Sequence, residues 1–187
     1  MDGVDKGLAL LDGTSLVART VTALVPQVSQ IVISANRNLE IYGALKAHGK
    51  EIRVVPDIIE NYQGPLAGLH AGLHAIAHMP KPPSYVMVVP TDTPHLPSCL
   101  VERLYLSISK ASFNCAYVTV KDEMHPLMCL VKLDVLPSLQ QFLVDDDRRV
   151  RSWIKRLNSV AVPFDDYPNA FANYNTSNQL LVVKQDS

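Results

Sequence analysis

Ser84-Tyr-Val-Met-Val-Val-Pro-Thr-Asp-Thr-Pro94 decides the fold. Its first six residues are too apolar for a strand with one wet face, so they predict a β-strand covered on both sides, as in a parallel sheet flanked by helices. The run stops at Pro90 and delivers a carboxylate, Asp92, where open α/β sheets bind ligands, beyond the carboxyl end of a strand. Upstream, Gln30-Ile-Val-Ile-Ser34 and Glu51-Ile-Arg-Val-Val55 read as two more strands. Val17, Val21, Leu24, Val25 and Val28 keep helical spacing after a Thr14 or Ser15 cap. A second helix is predicted over 39–48, ending at Gly49, and a third is marked by Leu66, Leu69, Leu73 and Ile76. Helices alternating with buried strands, joined by right-handed crossovers, give an α/β fold with a doubly wound, mostly parallel sheet.

Beyond Asp92 the pattern predicts a helix over 98–110, then strands over 114–120 and 126–131. These are separated by a polar turn with Lys121-Asp-Glu123, which admits an antiparallel pair. Helices over 134–143 and 149–157, a strand over 159–163 and a terminal helix capped by Thr176 or Ser177 complete the order; Pro137 leaves the start of the first of these helices open. Without a repeat or linker, residues 1–187 read as a single domain. This fold should open with a strand running into a glycine-rich, phosphate-binding turn. Met1-Asp-Gly-Val-Asp-Lys-Gly7 resembles only the end of such a loop, so the first strand is expected to be missing, with the literal chain badly destabilised or its true start upstream of Met1; the alternative is a naturally shorter sheet.

A formal net charge of -1 with 19% charged residues argues against a nucleic-acid binder. No apolar stretch suffices to span a bilayer and no cationic leader opens the chain, which reads as cytoplasmic. The three cysteines lack C-x-x-C spacing and read as free thiols.

Asp92 suits either a Mg²⁺ site beside phosphates or a turn between prolines. Asp57, after Val54-Val-Pro, repeats that arrangement on a neighbouring strand and is either a second ligand-facing carboxylate or part of a turn. Gly64-Pro-Leu-Ala-Gly68 opens a helix at which a ligand can approach the backbone, or simply places a proline at its first position. Lys6 is a flexible charge suited to phosphate or to solvent. His70, His74 and His78 share a helix face, read as solvated because no H-E-x-x-H pattern accompanies them. His125 falls in the predicted turn, where a second substrate can dock. Arg148, Arg149 and Arg151 meet an anion or water.

Gly3-Val-Asp-Lys-Gly-Leu8, Ser34-Ala-Asn-Arg37, Val55-Pro-Asp57, Gly64-Pro-Leu-Ala-Gly68, Pro90-Thr-Asp-Thr-Pro94, His125-Pro126, Arg148-Arg-Val150 and Phe171-Ala-Asn-Tyr-Asn-Thr176, in this order, resemble bacterial molybdenum cofactor guanylyltransferases. The resemblance implies a Rossmann-like fold of the nucleotide-diphospho-sugar-transferase type and transfer of GMP from GTP to molybdopterin, with release of pyrophosphate. It implies Lys6 on nucleotide phosphate, Ser34 (often asparagine in the family), Asp57, Gly64 and Gly68 around GTP, and Asp92 on both Mg²⁺ and GTP. Asn173 and Asn175 fall toward molybdopterin. The family's opening Leu-Ala-Gly-Gly loop has no match here. Transient contacts with other molybdenum-cofactor enzymes are also implied. The alternatives are a CTP-using relative, against which Asp-Thr-Pro speaks, and a non-catalytic remnant that binds pterin or a pathway partner.

Overall fold

The computed structural model describes residues 5–47, 49–58, 64–145 and 147–172. A 3-10 turn at Lys6–Leu8 leads to a small hairpin, β1 (Leu10–Leu11) and β2 (Thr14–Ser15), and then to α1 (Leu16–Leu24). Ser15 rather than Thr14 caps α1, its hydroxyl accepting from the Ala18 amide at 3.3 Å. Val17, Val21 and Val25 pack on Ile31 and Ile33 of β3 (Ile31–Ser34). β3 pairs in parallel with β4 (Ile52–Val55), setting Ser34 opposite Val55.

Between these strands α2 is only Leu39–Gly43, half the helix predicted over 39–48. The Lys50 ammonium donates to the Val25 and Val28 carbonyls, and Ala47 bridges to Lys50, so the chain turns back before a further helical turn can form. α3 (Pro65–Ala77) then precedes β5 (Tyr85–Val88). Next come α4 (Leu100–Ile108), β6 (Cys115–Val120), β7 (Glu123–Lys132), α5 (Leu136–Val144), α6 (Val150–Arg156) and β8 (Ser159–Pro163). Pro137 falls in the first turn of α5, after a 3-10 turn at Leu133–Val135, where its missing N–H has no helical acceptor to lose. The predicted helix beginning at Thr176 or Ser177 lies outside the described residues.

Four strands form one mixed sheet in the order β5-β7-β6-β8. β7 runs antiparallel to β5 and β6, while β6 and β8 are parallel. The described partner of β5 is therefore antiparallel, and β3–β4 forms a separate parallel pair. Alternate residues divide the core. Tyr85 and Met87 join α4 residues Leu100, Leu104 and Ile108 on one face. Val86 and Val88 join Leu66, Phe142 and Trp153 on the other. Leu100, Leu104, Ile108 and Trp153 are wholly buried, each contributing roughly 1.5–3 kcal/mol of apolar transfer energy.

His125 lies in β7 opposite Val118, not in the turn. The connection is shorter than the polar sequence implied, because Lys121 and Asp122 both adopt left-handed backbone, at φ 48° and 64°. Two such residues make a tight hairpin turn, and the ladder resumes at Glu123. Neither residue is the asparagine or glycine that this geometry favours. Replacing the pair as Lys121→Asn with Asp122→Gly is expected to raise unfolding stability by about 1 kcal/mol; urea titration of the variant beside the native chain measures it.

Candidate active site

Strands β3 and β5 both line one cavity of about 650 Å³. At the carboxyl ends of the two strands its wall is made by Lys6, Gly7, Ser34, Gly68, Thr91 and Asp92. The position follows from the chain path: each strand ends there and each loop turns outward to its helix.

Lys6 is held at this rim by its neighbours. Asp5 accepts from the Tyr42 hydroxyl at 2.7 Å and from the Asn38 side-chain amide at 3.0 Å. Burial, then the Asp5 carboxylate, hold the Tyr42 phenol well above its ordinary value. Gly7 is buried against both flanks: an added Cβ would lie 2.8 Å from the Tyr42 oxygen and 2.9 Å from Thr91 Oγ1. The 91–93 loop is tied to α1 through Thr20, whose hydroxyl lies 3.0 Å from the Leu16 carbonyl oxygen and 3.1 Å from that of Thr93.

Asp92 follows directly. Burial pushes its carboxyl above the ordinary range, opposed by a backbone hydrogen bond and by the charge of Lys6. One half-buried carboxylate beside an ammonium fits Mg²⁺, which takes one or two carboxylates and completes its shell with phosphate oxygen and water. A cage of three or more histidine, cysteine or acidic side chains is absent among the described residues, so a zinc-type donor set does not arise there.

Asp57 is not itself among the residues that line the cavity, but Ser34, which is, donates from Oγ to Asp57 Oδ1 at 3.1 Å. Asn36 closes a reciprocal pair, its Nδ2 donating to Oδ2 at 2.8 Å and its Oδ1 accepting from the Asp57 amide at 2.8 Å. Ser34 therefore links Asp57 to the cavity. Gly68 explains the small residues at the start of α3: a Cβ there would come within 3.1 Å of Ser34 Oγ. Gly64 is not on the wall; at φ 134° it makes the turn that starts α3, a conformation that side chains disfavour.

Other candidates separate from this cluster. Arg149 donates to Asp147 through two nitrogens at 3.0 Å, and neither Arg148 nor Arg149 lines the cavity. The His125 ring lies 5.8 Å from that of Phe171, and burial lowers its pKa. Asn173 and Asn175 lie outside the described residues. The histidine stripe is not uniformly solvated: His70 is 6% exposed, and burial pushes its pKa down. Asn36, Thr20 and Tyr42 were not anticipated individually. Only Asn36 had a signal, its place in the Ser34-Ala-Asn-Arg37 motif.

The model of the MobA-like NTP transferase domain matches residues 1–161. The chain belongs to that family. A Photobacterium profundum protein named molybdenum cofactor guanylyltransferase is 36% identical over 180 residues, covering 96% of this chain and 87% of the relative. One of the same name from Burkholderia lata is 40% identical over 188 residues, covering 98% and 88%. Among solved structures, molybdopterin-guanine dinucleotide biosynthesis protein A from Archaeoglobus fulgidus superposes with a TM-score of 0.76 at 21% identity, covering 98% of this chain and 90% of that one. A 4-diphosphocytidyl-2C-methyl-D-erythritol synthase from Anaerococcus prevotii gives 0.71 at 10% identity, covering 97% and 91%. These structural likenesses establish the nucleotide-diphospho-sugar-transferase type of fold in this MobA-like chain. None of its helices, among the described residues, is long and apolar enough to cross a membrane.

Two expectations follow from the geometry. Gly7→Ala forces Tyr42 and Thr91 apart and should lower stability by about 1–3 kcal/mol, with Gly7→Ala/Tyr42→Phe recovering part of the loss in urea titrations. Because burial raises the Asp92 pKa, the folded state retains that proton to higher pH than the unfolded chain. The group's contribution to stability is thus greatest below its ordinary value of 3.8 and declines as pH rises through the raised folded value. Asp92→Asn should therefore be more stable than the native chain near pH 7, with the difference vanishing near pH 3, as unfolding at the two pH values will show.

Proposed function

We propose that this chain transfers GMP from GTP to molybdopterin, releasing pyrophosphate and forming the guanine dinucleotide form of the cofactor. The observation that supports it best is the Lys6 ammonium beside half-buried Asp92 at the strand ends, in a chain whose relatives are named guanylyltransferases. Residues 1–187 work as one nucleotidyltransferase domain in the cytoplasm, with GTP and molybdopterin as substrates. Contacts with other molybdenum-cofactor enzymes are transient.

The step is an in-line displacement. A terminal phosphate oxygen of molybdopterin bonds to the α-phosphorus of GTP as the bond from that phosphorus to the α–β bridging oxygen breaks, and pyrophosphate carries the electron pair away. The attacking oxygen is already anionic, so no side chain need remove a proton. The protein's work is positioning and charge neutralisation.

Lys6 neutralises the departing phosphates. Asp92 holds Mg²⁺, which when bound spreads the negative charge of the phosphate oxygens. Ser34, oriented by Asp57, and the backbone near Gly68 face the nucleoside, while Gly64 keeps the α3 amino terminus open toward it. Asn173 and Asn175 are assigned to molybdopterin through the resemblance.

Calorimetric titration with Mg²⁺ present tests the reading. GTP should bind and CTP should bind at least about tenfold more weakly, the difference of one good hydrogen bond. Lys6→Ala should weaken GTP by about 10- to 100-fold, the worth of a charge-assisted hydrogen bond, and Asp92→Asn should remove the Mg²⁺ dependence. Equal affinity for the two nucleotides, or a Mg²⁺ response unchanged by Asp92→Asn, would refute it.

A further inference from the structure

The cavity rim carries one hydroxyl whose proton is already committed. Ser34 lines the cavity, and its Oγ donates to Asp57 Oδ1 at 3.1 Å. A serine hydroxyl has one proton and two lone pairs, whereas an ionised carboxylate only accepts. The proton therefore points at Asp57, and what Ser34 offers a bound molecule is acceptor capacity alone. The missing side chain of Gly68 keeps space beside these oxygens: a Cβ there would stand 3.1 Å from Ser34 Oγ and 3.7 Å from Asp57 Oδ1.

The direction of that proton depends on Asn36, a residue that does not line the cavity. Its Oδ1 accepts from the Asp57 backbone N–H and its Nδ2 donates to Asp57 Oδ2, both at 2.8 Å. Only one orientation of the amide satisfies both partners, since the N–H demands an acceptor and the carboxylate a donor. The same two bonds fix the rotation of the carboxylate, one gripping its backbone and the other its far oxygen. Oδ1 is thereby left facing Ser34. The strand register brings the partners together: the Ala35 amide donates to the Val55 carbonyl at 3.0 Å, so the loops carrying Asn36 and Asp57 leave the sheet side by side. Without Asn36 the carboxylate could rotate away, and the Ser34 hydroxyl could swing between its staggered positions and donate as readily as accept.

We propose that Asn36 is a positioning residue for base recognition: acting through Asp57, it holds Ser34 as an acceptor that selects a purine edge rich in N–H donors. This inference rests on the GTP reading above. Guanine presents its N1–H and its 2-amino group side by side. Hypoxanthine keeps the N1–H and lacks the amino group, while cytosine and adenine set a ring acceptor beside their single amino group. A wall that only accepts is left unpaired by the base lacking the donor, whereas a hydroxyl able to turn either way discriminates little.

Calorimetric titrations with GTP and with inosine triphosphate, Mg²⁺ present, test this on the native chain, Asn36→Ala, Ser34→Ala and the double variant. The ratio of the two dissociation constants is the readout, because a merely loosened loop weakens both nucleotides together and leaves the ratio where it was. The native chain should prefer GTP by about tenfold, the worth of one hydrogen bond. Asn36→Ala should bring the ratio to within about twofold of unity by releasing that hydrogen bond's acceptor. Asn36→Asp keeps an acceptor for the Asp57 amide but loses the donor to Oδ2, and should behave like Asn36→Ala. In the Ser34→Ala background Asn36→Ala should change the ratio no further, as for two residues acting in series. A native ratio near unity, a ratio unmoved by Asn36→Ala, or one moved equally with and without the Ser34 hydroxyl would overturn the inference and leave the GTP reading intact. A native chain that binds GTP no better than CTP would overturn that reading and the role of Asn36 with it.

Discussion

Parallel pairing of β3 with β4 is the constraint on which the arrangement of the site depends. Register places Ser34 opposite Val55, and the Ala35 amide continues the ladder by donating to the Val55 carbonyl at 3.0 Å. The two loops therefore leave the sheet side by side, and Ser34 and Asn36 on one meet Asp57 on the other. A slip of one residue would turn Ser34 to the opposite face of the sheet and break every one of these contacts. Side chains alone hold little here, since hydrogen bonds between partly exposed groups contribute about 1 kcal/mol each. The backbone ladder and the apolar packing beneath it supply the precision.

The same division of labour explains what was legible in the sequence. Apolar runs rich in β-branched residues, such as Ile31-Val-Ile33 and Val86-Met-Val88, announce strands because a pleated, covered surface favours them. Helix α3 was equally plain, since Leu66, Leu69 and Leu73 keep the helical period and are all buried. The failures are tertiary in origin. Nothing local in 39–48 tells that Lys50 reaches back to two carbonyls of the α1 side and stops the helix at Gly43. Nothing in Lys121-Asp122 advertises a two-residue turn, because both residues accept left-handed backbone only under the pull of the β6–β7 ladder. His70 looked solvated because helical spacing groups it with His74 and His78, whereas the packing of α3 against two sheets buries that end of the stripe.

At the site, position was easier to read than partnership. Asp92 and Asp57 were recognisable as carboxylates that follow apolar runs, which is a property of sequence order. That Ser34 links Asp57 to the cavity, and that Thr20 ties the 91–93 loop to α1, depends on distances across elements far apart in the chain. The family resemblance supplied the roles for which spacing alone left alternatives.

A site of this kind needs few titratable groups, and that bears on the character of Asp92. Nucleotidyl transfer to an anionic nucleophile requires charge to be neutralised rather than protons to be moved, so one carboxylate and one ammonium can suffice where hydrolases deploy triads. The carboxylate is most useful when poorly hydrated, because a partly desolvated anion gains more from a divalent cation than one already well solvated by water. Burial opposes ionisation of Asp92, and the charge of Lys6 restores only part of what is lost. In the absence of ligands the folded chain therefore carries an electrostatic penalty at neutral pH that a cation and phosphates would relieve. The feature that weakens the fold is then the one that would make binding selective for a metal–nucleotide complex over either component alone.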